Sequence, residues 1–98
     1  MVATNAKQEN RQERRLKVFL RVKIQRGSEL YTAHLIDVSK NGAQVHCDAA
    51  IKSGTFVILE CADICRRARC IRADRNRIGL RFTSPLSAEE LTHLIGGR

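Results

Sequence analysis

Tryptophan is absent, and aromatic residues make up only 4% of the 98, as three Phe and one Tyr. That scarcity argues against a ring-rich platform for stacking nucleic-acid bases. Proline occurs once and glycine six times, which excludes a collagen repeat and a proline-rich linker. No apolar run approaches the ~20 residues that a spanning helix needs, so no membrane span is expected. The opening stretch, MVATNAKQENRQERR, lacks the apolar segment of a secretory leader, so the chain is expected to be cytoplasmic. Internal repeats are also missing.

With 43% hydrophobic and 29% charged residues, the composition is that of a small globular domain. The charge is lopsided: 18 Lys and Arg against 10 Asp and Glu leave +8. Thirteen of the eighteen cations are Arg, whose planar guanidinium matches a phosphate with paired donors. The composition therefore points to an anionic, phosphate-bearing partner without choosing among nucleotide, nucleic acid and lipid.

Four cysteines, Cys47, Cys61, Cys65 and Cys70, invite a metal or disulfide reading. Their close spacing, C-x3-C-x4-C, lacks the C-x2-C knuckles of common structural zinc sites. A reducing compartment disfavours disulfides. They are expected to be small apolar residues within strands, with no metal and no cofactor.

Residues 1–15 hold almost no large apolar side chain and cannot offset their ordering entropy, so a flexible basic arm is expected. We assign residues 1–10 to a tail and 11–98 to a single domain. Alternation of apolar and polar residues marks six strands, at 16–24, 30–38, 43–47, 55–60, 64–73 and 78–83. Adjacent apolar residues at Phe19-Leu20 break the first pattern and predict a β-bulge. Turn signals stand at Gln25-Arg26-Gly27-Ser28, Ser39-Lys40-Asn41-Gly42 and Asp74-Arg75-Asn76-Arg77. After Pro85, Ser87 and Glu90 form a capping box that opens a helix. Leu91, Leu94 and Ile95 are expected on its apolar face. The fold class is all-β: a six-stranded antiparallel barrel with a short C-terminal helix.

Two motifs carry the chemistry. Arg11-Gln12-Glu13-Arg14-Arg15 places three guanidiniums where the arm meets the first strand, able to grip phosphates or lie on a purine. Asp37-Val38-Ser39-Lys40-Asn41-Gly42 ends the second strand. Two residues apart on a strand, Asp37 and Ser39 are expected on one face. A carboxylate there can accept from the N1–H and N2–H2 edge of guanine. Gly42 permits a positive φ or a close backbone approach. Each motif has a plainer reading as well: a solvated basic tail, and an Asp/Ser turn that caps its own backbone.

In order, R-x-x-x-R (Arg11, Arg15) and D-x-S-x-x-G (Asp37, Ser39, Gly42), with 21 residues between them, resemble the signature of the PilZ domain family. Arg77-Ile78-Gly79-Leu80-Arg81-Phe82 is similar to that family's closing R-x-G-x-x-F strand. The resemblance, over residues 11–95, implies a receptor for cyclic di-GMP, a ring of two guanylates. It implies that Arg11 and Arg15 grip phosphate and guanine, that Asp37 and Ser39 read the guanine edge, and that Gly42 shapes the loop. Arg14 is a further candidate contact, and Arg72 lies near a position at which family members stack a side chain on a base. Closure of the arm over the ligand would then signal to an unidentified downstream protein. The alternative is a small basic nucleic-acid-binding barrel. An enzyme is not expected: His34, His46 and His93 are scattered, and Ser39 has no neighbouring base.

Overall fold

The computed structural model describes residues 15–96. Six strands, β1 (Leu16–Arg26), β2 (Glu29–Val38), β3 (Gly42–Cys47), β4 (Phe56–Cys61), β5 (Ile64–Asp74) and β6 (Arg77–Phe82), precede helix α1 (Ala88–Gly96). The strands close into an antiparallel barrel in the order β1-β2-β3-β6-β5-β4. Strand alternation dictates which side chains point inward. In β6, Ile78, Leu80 and Phe82 are buried while Arg77 and Arg81 face water. The same rule sends Ala43, Val45 and Cys47 of β3 and Ala68 and Cys70 of β5 to the interior. Each Val, Leu, Ile or Phe buried this way contributes ~1.5–3 kcal/mol relative to exposure. The interior is thus a packed core, and any ligand must bind outside it.

The expected bulge in β1 is present as a register shift between Lys17 and Leu20. It turns Phe19 outward, 75% exposed, where its ring stacks on His34 at 4.9 Å. Closure between β1 and β4 is the thinnest pairing of the barrel, confined to Lys23–Glu60, Ile24–Leu59 and Gln25–Ile58. Gly27 (φ 60°) makes the β1–β2 turn. The β4–β5 turn, by contrast, places Ala62 at φ 54° with no glycine to announce it.

Helix α1 begins as the capping box requires. The Glu90 amide donates to Ser87 Oγ (3.0 Å), and Glu90 Oε1 accepts from the Ser87 amide (2.8 Å). Leu94 is buried and Leu91 packs against the core, but Ile95, expected beside them, is exposed. The helix docks through one narrow stripe, which the last turn leaves behind. An Arg66–Glu90 ion pair ties it to β5. All four cysteines lie in strands and are free, with Cys65 exposed and the rest buried. Burial pushes the Cys61 and Cys70 thiols up, which keeps them poor nucleophiles. No helix among the described residues is long and apolar enough to cross a membrane.

The Ser87 backbone bond, aided by the neighbouring Arg66, holds the Glu90 carboxyl below the usual carboxylate range. A group whose folded pKa lies below its unfolded one stabilises the fold above the unfolded value. That contribution is lost as pH falls through the folded value. Urea midpoints of the parent and of Glu90→Gln are therefore expected to differ at neutral pH and to converge below pH ~4. A gap that stays constant with pH would contradict this role for the charge.

Candidate functional site

Strand β2 ends at Val38, so the period-two rule that would pair Asp37 with Ser39 stops one residue short. A register shift between Leu35 and Asp37 further re-aims the strand end. The two side chains consequently part. Asp37 stays at the rim, while Ser39 is fully buried. Ser39 Oγ accepts from the amide of Gly42 (3.2 Å) and lies 3.4 Å from that of Asn41. The Ser39 amide donates to the Gly42 carbonyl (2.8 Å). Of the two readings open to this serine, its hydroxyl performs the turn-holding one here, and it does not share a face with Asp37.

Gly42 is needed for closeness rather than for a left-handed backbone, since the positive-φ glycines are Gly27 and Gly54. It pairs with Arg81. A Cβ at Gly42 would run into the carbonyl oxygen of Leu80, with Arg81 Cα at 3.5 Å. The same turn reaches forward along the chain: the carbonyls of Asn41 and Lys40 accept from the amides of Phe82 and Leu86, each at 2.8 Å. The Asp-x-Ser corner, the end of β6 and the approach to α1 are therefore one hydrogen-bonded unit.

Arg15 crosses to this corner. Its Nη2 and Nε donate to Asp37 Oδ1 at 2.8 and 3.1 Å. The Arg15 side chain keeps 41% of its surface exposed and that of Asp37 only 14%. Both bonds land on one carboxylate oxygen. Arg11 and Arg14 lie outside the described residues.

Beside Arg15 opens a cavity of about 480 Å³, within the range of small-molecule sites. Arg72 lines it, as do Arg77, Asp74, Gln44, Gly79 and Ile71. Strand order explains the gathering: β3, β6 and β5 are neighbours, so Gln44, Gly79 and Arg72 form one outward row. A register shift between Cys70 and Arg72 lets Ile71, 48% exposed, sit against the cavity beside Arg72. Gly79 leaves the floor low. The cavity thus offers three guanidiniums, a carboxylate, an amide and an apolar patch to an anionic, planar ligand. Of the residues singled out in the sequence, Arg15 and Arg72 line it and Asp37 adjoins through Arg15, whereas Ser39 and Gly42 hold the corner behind. Sequence reasoning missed Gln44, Asp74 and Arg77 as contributors.

The PilZ domain family profile matches residues 9–97. Among solved structures, the PilZ domain of CeSA from a cellulose synthesizing bacterium superposes with a TM-score of 0.65 at 26% identity. The match covers 86% of this chain and 96% of that one. A search of curated proteins finds no match.

The two glycines of the site are expected to respond oppositely. Gly42→Ala forces a methyl group against backbone that cannot give way, and should cost about 3 kcal/mol in chemical denaturation. Gly79→Ala adds a methyl at ordinary contact distance, 3.7 Å from Arg72 Cβ. It should leave stability unchanged or raise it by up to ~1 kcal/mol. Equal losses at both positions would contradict the close-approach account.

Proposed function

The chain belongs to the PilZ domain family, and from that premise we propose that it is a receptor for cyclic di-GMP that regulates a downstream protein through residues 1–15. The observation that carries this reading is the Arg15–Asp37 pair at the mouth of an Arg-lined cavity. A doubly anionic, two-guanine ring needs both parts of that pair. Phosphate competes with the carboxylate for Arg15, since guanidinium bonds to either with paired donors. The Asp37 carboxylate then accepts from the guanine N1–H and N2–H2 edge. Arg72 and Arg77 supply further phosphate or purine-face contacts, and Ile71 covers apolar base surface.

Arg11 and Arg14 join from the segment ahead of Arg15, which places residues 1–14 over the occupied cavity. Ser39 and Gly42 act by holding the corner in place. The exposed surface changes with no reaction taking place, and the effector protein reads that change. The hydrogen-bonded corner offers a second route for the signal, from Asp37 through Lys40 and Asn41 to the segment that leads into α1.

Calorimetric titration with cyclic di-GMP tests the site. Arg15→Ala and Asp37→Ala should each weaken binding by at least ~1.5 kcal/mol, the lower range for charged hydrogen bonds. Unaltered affinity in both variants would remove the site from this corner. Limited proteolysis tests the switch: cleavage after Lys7 and Arg11 should slow when ligand is present. Identical cleavage with and without ligand would refute the rearrangement of the arm.

A further inference from the structure

A second basic surface lies on the outer face of β4, β5 and β6, one row beyond the cavity-lining Gly79 and Arg72. Cross-strand register aligns Phe56 with Arg69 and Arg69 with Arg81, and places Arg67 opposite Ile58. Arg67, Arg69, Arg81 and Phe56 are all exposed. The Arg67 guanidinium lies over the Phe56 ring, 4.3 Å from its centroid, with that of Arg69 at 5.9 Å.

The fold gains nothing from placing two guanidiniums directly opposite each other on neighbouring strands, because like charges in that relation repel. Arg15, Arg26 and Arg66 are each paired to a carboxylate, which offsets their charge locally. Among the described residues, Arg67, Arg69 and Arg81 have no ion pair. Seating Arg67 on an aromatic face stiffens it and leaves its N–H edge free for an anion.

We propose that this face docks an acidic, extended segment of a partner protein. Alternate residues of an extended chain repeat every ~6.6–6.8 Å. Arg67 and Arg69 share that repeat, being two apart on β5, so carboxylates at every second position of the segment meet them in register. Arg81 supplies the lateral contact. Single-stranded nucleic acid fits less well, since the lone aromatic of this face already carries Arg67 and leaves bases no ring to stack on. The proposal does not rest on the cyclic di-GMP reading: it adjoins that cavity but uses none of Arg15, Asp37, Arg72 and Arg77.

The test uses the full chain and a short fluorescent peptide that alternates Glu with Thr, followed by anisotropy. The peptide should bind with an affinity that falls as salt rises. Arg69→Glu/Arg81→Glu should weaken it by at least ~10-fold. The milder Arg69→Gln/Arg81→Gln, which relieves repulsion without adding acid, should keep the fold and still weaken binding several-fold. Arg21→Glu/Lys52→Glu, at exposed positions away from this face, carries the same change in net charge and should alter affinity less than twofold. Equal loss in the Arg21→Glu/Lys52→Glu variant would reduce the effect to overall charge and overturn the proposal. So would tighter binding of a single-stranded oligonucleotide of equal charge with the same dependence on Arg69 and Arg81.

Discussion

A hydroxyl shielded from water closes the turn between β2 and β3. Ser39 Oγ satisfies the Gly42 amide in a place where an unpaired donor would cost ~1–3 kcal/mol. Gly42, lacking a side chain, lets β3 lie against the backbone of β6. From that one corner follow the placing of Asp37 at the rim, the pairing of β3 with β6, and the anchoring of the Phe82 and Leu86 amides. Site and scaffold therefore share a support. Ser39 and Gly42 hold the rim residue Asp37 in place from behind it.

The filled interior imposes the second constraint. Among the described residues, twenty buried apolar side chains fill the core, so polar chemistry is left to the outer wall, where alternation supplies it in rows. A cavity on a convex sheet needs a low point and a border. The small side of Gly79 provides the first, while Arg15, Arg72 and Arg77 provide the second. This division lets the outer wall vary in chemistry while the core keeps the shape.

Much of the architecture was legible because local rules decided it. Period-two alternation located all six strands to within two residues at each end, and two adjacent apolar residues, Phe19 and Leu20, marked the β1 bulge. Ser87 and Glu90 announced the helix through a hydrogen-bond exchange that needs no tertiary contact. What was hidden depended on distant partners. That Gln44, Gly79 and Arg72 share a row follows from β6 lying between β3 and β5, a fact of strand order rather than of spacing. Ser39 defied alternation because its strand had already ended. The Ala62 turn was silent because alanine carries none of the chemistry that usually marks a positive φ. Arg11 and Arg14, read from their motif, lie outside the described residues.

The seam between β1 and β4 bears on how such a barrel yields to force. Three register pairs close it, while β1 meets β2 along nearly its whole length. Mechanical load applied at Arg15 enters the sheet through the strand with the fewest cross-links on one flank. Peeling would begin there and spare the β3–β6–β5 wall, so a tug at Arg15 would unlatch the cylinder along a single line and leave the Arg-lined cavity wall whole.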